Sequence, residues 1–206
     1  MKAILFDIDG VLIHYKEYFS ATLSTTQFDN PVLHLNSYYH SSINQACDRG
    51  QKNPYIEIQP FLEKIDWKQT SKDFFEAQWN YEKDFIDWEL LEKVNELHQC
   101  GVLLCIASCQ NPYRKAFLVD KMNLKSIFTK MYFSCDIGFL KIENEYWKYV
   151  IDDLAKEGIK VTDTVFFDDM ESNVNKADEN GIQGKVIRTR EDVFQAIDEI
   201  RETVTA

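Results

Sequence analysis

The chain opens Met1-Lys2-Ala3-Ile4-Leu5-Phe6-Asp7-Ile8-Asp9-Gly10, and the reading of these ten residues decides the fold. The apolar run 3–6 ends on two carboxylates and is closed by a glycine. A short apolar run bounded by a turn residue predicts a buried strand. Acids at the carboxyl end of such a strand do not help it fold, and in open α/β sheets that end is where ligands sit. Asp7 and Asp9 are two apart, so on a strict strand both side chains would face the same way. Two like charges so placed repel unless a cation lies between them. A hard divalent ion with oxygen ligands, most simply Mg²⁺, is the natural partner. The simpler alternative is that Asp9-Gly10 only turns the chain.

Outward from this stretch, apolar runs and helical patterns alternate. Residues 102–107 read as a second buried strand ending on Ser108, and 131–135 as a weaker third. The loop 136–140 delivers Lys141; 164–167 form a fourth strand ending on Asp168-Asp169, and 185–188 a fifth. Trp88, Leu91, Val94 and Leu97 mark an amphipathic helix that stops near Gly101. Asn111 can cap the next helix, with Pro112 at its first position, and that helix runs to about residue 123. Tyr146, Val150 and Leu154 give another, Asn173, Val174 and Ala177 a short one, and Val193, Ile197, Ile200 and Val204 the last, opened by a Thr189–Asp192 capping pair. The alternation predicts an α/β fold: a doubly wound, mainly parallel, Rossmann-like sheet with right-handed crossovers.

Residues 1–15 and 88–206 are assigned to this core, and 16–87 to an insert of different character. The insert has no strand run and is punctuated by Asn30-Pro31, Asn53-Pro54 and Gln59-Pro60. Thr70 to Asp73 looks like a helix start, followed at helical spacing by Phe74, Phe75, Gln78 and Trp79. The expectation is a small helical unit whose aromatics, among them Tyr18, Phe28, Tyr38, Trp67 and Phe85, form its own core.

The chain's 206 residues suit one such core with an insertion, and 45% hydrophobic and 14% aromatic content argue against disorder. A net charge of -11 excludes a general nucleic-acid binder, which needs a basic face, but leaves room for a small phosphorylated ligand in a local cationic pocket. No apolar run approaches membrane-spanning length, so no membrane partner is expected. The start passes directly into a strand and predicts no signal peptide. Five cysteines without a C-x-x-C pair read as reduced thiols of a cytoplasmic protein, and the four histidines form no metal-ligand spacing with them.

In a parallel sheet the strand ends share one edge, so Asp7, Asp9, Ser108, Lys141, Asp168 and Asp169 converge on one crevice. Here the chain resembles the haloacid dehalogenase-like hydrolases. Asp7-Ile8-Asp9-Gly10-Val11 looks like the family's first sequence mark, Ser108 like its second, Lys141 like its third, and Asp168-Asp169 with Asn173 like its fourth. The insert is similar in position to the family's helical cap. The nearest likeness is to the small-molecule phosphatase branch, with its glucose-1-phosphate phosphatases and the phosphatase domain of epoxide hydrolases. Two departures stand out: Ser108-Cys109 where that branch usually has Ser/Thr-Asn, and Lys141-Ile142 where it usually has Lys-Pro. Hydroxyl and amine survive, so the departures bear on substrate placement more than on chemistry.

The resemblance implies a phosphoaspartate route. Asp7 would be the nucleophile and Asp9 the general acid and base. Mg²⁺ would be held by Asp7, the main-chain carbonyl of Asp9, and Asp169, with Asp168 and Asn173 behind them. Ser108, Cys109, Gly10 and Lys141 would hold the phosphate, Lys141 also orienting Asp7. The implied partner is a small phosphorylated metabolite, handled by a monomer or homodimer. A phosphomutase, or a non-catalytic phosphate-binding or regulatory protein, are the alternatives. A metal-free dehalogenase would not need the second acid at Asp9.

Overall fold

The computed structural model describes residues 1–23 and 30–205. Five strands among them, β1 (Ala3–Phe6), β2 (Leu103–Ser108), β3 (Lys130–Phe133), β4 (Thr164–Asp168) and β5 (Gln183–Val186), form one sheet in the order β3-β2-β1-β4-β5. Every pairing is parallel. β1 lies at the centre, where the winding reverses direction and a crevice opens at the carboxyl ends.

The alternation of side chains along β1 explains why the sheet is covered twice. Ile4 and Phe6 join Leu104, Ile106 and Phe167 on one face, under Leu90, Leu91, Val94 and Leu97 of the helix Trp88–Gln99 and Val193 and Ile197 of the helix Arg190–Thr205. Ala3 and Leu5 join Cys105, Ala107 and Phe166 on the other, under Tyr146, Trp147, Val150 and Leu154 of the helix Asn144–Lys156. The Thr189–Asp192 pair does cap the last helix, each backbone N–H meeting the other's side chain.

Three local readings of the sequence need correction. Trp88 is 56% exposed and off the apolar stripe, because Asp87 caps the helix through the Leu90 N–H and leaves Trp88 on the solvent side of the first turn. Ser134 and Cys135 do not extend β3. They open the short helix Ser134–Ile137, the Ser134 hydroxyl accepting from Gln110 N at 3.0 Å and donating to the Asp48 carbonyl at 2.6 Å. β5 begins two residues early, at Gln183, since an edge strand tolerates polar residues that hide its pattern.

Between β1 and the helix Trp88–Gln99 the described chain is helical, and its apolar residues form a separate cluster: Leu35, Tyr38, Ile58, Leu62, Phe74, Phe75 and Trp79 with Leu23 and Ile65. Tyr38 pairs with Phe61 and Trp67 with Phe74, so these rings pack on one another, whereas Tyr18 is largely exposed and Phe85 packs against the cluster on the sheet. Phe28 lies outside the described residues. The helix Ser71–Glu82 starts at Thr70 with the reciprocal Thr70–Asp73 capping box. The segment touches the sheet's crevice edge through Arg49, whose Nε donates to Glu143 Oε2 at 3.1 Å, and through the Tyr55–Tyr113 ring pair at 4.3 Å. No helix among the described residues is long and apolar enough to cross a membrane. All five cysteines are free.

Candidate active site

The chain leaves the sheet after Phe6 in a tight turn. Leu12 N and Ile13 N both donate to the Ile8 carbonyl, and Gly10 N to that of Ile13. Asp7 still belongs to the ladder, its N–H donating to the Phe167 carbonyl at 2.8 Å, while Asp9 lies in the turn, and their carboxylates have different partners. Asp7, 6% exposed, faces the buried Lys141, whose Nζ lies 2.8 Å from Oδ1 and 2.6 Å from Asp168 Oδ2. Burial is the main reason the Asp7 carboxyl is pushed up to about 7; Lys141 opposes the shift, and Asp168 and Asp9 add to it. For Lys141, burial opposes the charge, but the Asp168 and Asp7 carboxylates outweigh it and hold the ammonium above its ordinary range. Its backbone is fixed as well: Lys141 N donates to Cys109 Sγ at 3.3 Å, and Trp147 Nε1 donates to the Lys141 carbonyl at 2.6 Å. Burial pushes the Cys109 thiol up to about 11, so the sulfur accepts that bond as a neutral group.

Asp168 is fully buried, and its two oxygens accept from Lys141, Asn173 Nδ2 and Met170 N. The sequence places Asn173 four residues after Asp169, as if both shared a helix face. In the structure Asn173 binds Asp168 instead, because the helix Glu171–Glu179 starts only after Asp169. Asp169 is left to face the turn. A Cβ added to Gly10, which has φ +79°, would stand 2.6 Å from Asp169 Cγ. Ser108, 1% exposed at the end of β2, accepts from Gln110 Nε2 at 3.1 Å.

Asp7, Asp168 and Asp169 each bring a carboxylate oxygen within 4.8 Å of the other two. The donor set fits a hard cation: all oxygens, with Asp7 Oδ1 buried and lacking an aligned hydrogen-bond donor despite its ion-pair contact. Burial first, then Asp168, raises the Asp169 carboxyl, and Lys141 only partly opposes them. Gly10→Ala brings a methyl into this cradle at a backbone angle that disfavours any side chain. The expected cost is about 1–3 kcal/mol in urea unfolding.

Asp9 stands in a second network that the sequence did not reveal. Its Oδ1 accepts from Arg114 Nη2 at 2.7 Å and from the Tyr15 hydroxyl, and its Oδ2 from Gln110 Nε2 at 2.8 Å. Burial would raise this carboxyl, but Arg114 and these hydrogen bonds outweigh it and hold the group below its ordinary value. Arg114, 8% exposed, is paired through Nη1 with Glu82 at the end of the helix Ser71–Glu82. Gln78 Nε2 donates to the other Glu82 oxygen at 2.7 Å, and the Tyr39 hydroxyl donates to Gln78. A signal for this network did exist. Glu82 follows Phe75 and Trp79 by spacings of seven and three, an acid on the buried stripe of its helix, and such an acid needs a cationic partner. Beside Asp9 these residues border a chamber of about 370 Å³ between the helical segment and the sheet edge.

A family profile described as haloacid dehalogenase-like hydrolase matches residues 1–174. The chain belongs to that family of hydrolases. No curated protein matches it. Among solved structures, a predicted hydrolase of this family from Porphyromonas gingivalis superposes with a TM-score of 0.77 at 22% identity, covering 98% of each chain. A family enzyme of Bacteroides thetaiotaomicron, an aspartate-to-alanine mutant in complex with magnesium and inorganic phosphate, gives 0.72 at 23% identity over 90% of this chain and 93% of its own. A structure described as a dehalogenase gives 0.66 at 13% identity over 89% and 83%. At these identities the likeness concerns the fold.

Proposed function

We propose that this hydrolase is a Mg²⁺-dependent phosphatase of small phosphate monoesters, working through a phosphoaspartate on Asp7. One observation carries the reading. Three carboxylates, Asp7, Asp168 and Asp169, crowd beside a buried ammonium, and a further acid stands two residues beyond the nucleophile. That further acid is what a dehalogenase of this fold does not need. The magnesium and phosphate bound by the Bacteroides thetaiotaomicron enzyme support the same choice.

Asp7, Asp169 and the Asp9 main-chain carbonyl would hold the ion, which when bound screens the repulsion between the Asp7 carboxylate and the incoming phosphate. Lys141 and the Ser108 hydroxyl take up phosphate oxygens at the mouth of β2 and β4. Asp7 attacks phosphorus, forming a P–O bond to its carboxylate as the bond to the alcohol oxygen breaks. The departing oxygen takes up a proton that Asp9 gains from solvent beforehand, since Arg114 and the hydrogen bonds to Asp9 hold the resting group as a carboxylate. Asp9 then takes a proton from the water that cleaves the acyl phosphate, as the carboxylate form favoured by Arg114 and its hydrogen bonds. Asp168 holds Lys141, and Asn173 holds Asp168. The helical segment over the chamber acts as a cap that meets the leaving group.

The test is p-nitrophenyl phosphate with Mg²⁺. Release of free phosphate is expected, abolished by EDTA and restored by added Mg²⁺. Turnover that survives chelation, or no turnover of any phosphate ester, would overturn the reading.

A further inference from the structure

We propose that the chamber beside Asp9 admits only leaving groups without a negative charge, hydroxyl-bearing alcohols foremost, and that Glu82 enforces this selection. The inference deepens the phosphatase reading and rests on it. The alcohol portion of an ester whose phosphate sits at Asp7 and Lys141 must project past Asp9, and the cavity that opens there is this one, about 370 Å³. That volume is at the small end of ligand pockets.

The charge on its walls is one-sided. Asp9, Asp48 and Glu82 line it, and Arg114 is the single Lys or Arg on the lining among the described residues. Arg114 already serves two acids of the protein. Its Nη2 donates to Asp9 and to the Tyr15 hydroxyl at 3.0 Å, and its Nη1 to Glu82. Its Nε–H is buried, so an anion in the chamber meets a guanidinium whose charge two carboxylates already share. A carboxylate or second phosphate is normally gripped by a free guanidinium fork, and here both tines are spent on the protein's own acids. Such an anion would lie beside three acids whose one guanidinium is already shared, with His40 the other titratable base on the lining. Asp48 stands on the same wall without an ion pair of its own among the described residues, and burial pushes its carboxyl up to about 7 against the pull of Arg114 and Arg49, so placing a second anion beside it carries a further cost. Hydroxyls meet a different wall. Asp48 accepts one amide, Asn44 Nδ2 at 3.0 Å, and has lone pairs to spare, and Ser20 and Asn36 add polar side chains to the lining.

Glu82 is the residue on which the selection turns. Glu82→Gln removes one negative charge from the wall and frees Nη1 of Arg114 from its ion pair. The chamber then holds a cation able to meet an anionic leaving group.

Matched esters that differ by a carboxylate in place of a hydroxymethyl group test this: glycerol 3-phosphate against 3-phosphoglycerate, and sorbitol 6-phosphate against 6-phosphogluconate. The expected result is a kcat/KM at least tenfold higher for the uncharged member of each pair, narrowed at least tenfold by Glu82→Gln. Asp48→Asn, on the same chamber, should narrow it in the same direction and serves if Glu82→Gln does not fold by its melting curve. A wild-type ratio near or below one overturns the selection. A ratio that neither variant moves overturns the role of Glu82. Hydrolysis of p-nitrophenyl phosphate with the wrong preference sinks this inference alone, and no hydrolysis of any ester sinks the phosphatase reading with it.

Discussion

Asp7→Asn is expected to lower hydrolysis of p-nitrophenyl phosphate by about 10⁴-fold or more, with the fold intact. An amide cannot form the acyl phosphate, and nothing nearby can replace it: Asp168 is saturated by Lys141, Asn173 and Met170 N, and Asp9 by Arg114, Tyr15 and Gln110. The structural consequence should be mild. Asp7 is a buried acid raised to about 7, crowded by Asp168 and Asp9, so the neutral amide removes a repulsion as well as an ion pair. The measurement has two parts. Acid-quenched wild-type protein should retain label from a radiolabelled phosphate ester, and the variant should not, while their melting curves stay close. Undiminished turnover in the variant would end the assignment of Asp7.

Lys141→Met carries the second large effect, and it falls on stability and rate together. Lys141 is 2% exposed and is the cation between Asp7 and Asp168. Taking one partner from a buried pair leaves the other charges uncompensated and costs about 3–5 kcal/mol. Losing a donor aimed at a transferring phosphoryl group costs about 10²–10³ in kcat. Methionine preserves most of the packed volume against Phe166, so the loss reads out charge and not a cavity. Urea unfolding and steady-state kinetics on the same preparation separate the two effects. Wild-type kinetics in this variant would remove Lys141 from the site.

The sheet was legible because its central strands obey simple rules. Ile4 and Phe6 against Ala3 and Leu5, and the apolar runs of β2 and β4, state burial on both faces, and polar groups at the strand ends stand out against them. β5 was misplaced because an edge strand mixes Gln183 and Gly184 into its pattern, and β3 because Ser134 turns to bind neighbours on other segments. The acids and Lys141 could be assigned to one edge, since topology alone brings strand ends together. Their partners could not be assigned. Asn173 reaches Asp168 and not Asp169 because of where a helix begins, a boundary accurate to only a residue or two from pattern alone. The Asp9–Arg114–Glu82 chain joins residues 9, 114 and 82, and no local periodicity encodes a contact between segments so far apart.

That chain has a bearing on how such proteins diversify. Arg114 belongs to the sheet's own connection after β2, and the acid that neutralises its far side belongs to the segment inserted after β1. A foreign insert transplanted onto this scaffold would strand a buried guanidinium unless it happened to bring a carboxylate to the same spot, a defect worth several kcal/mol. The two halves are therefore not interchangeable modules. Recombination would have to exchange Arg114 along with the insert, or keep an acid at the position of Glu82.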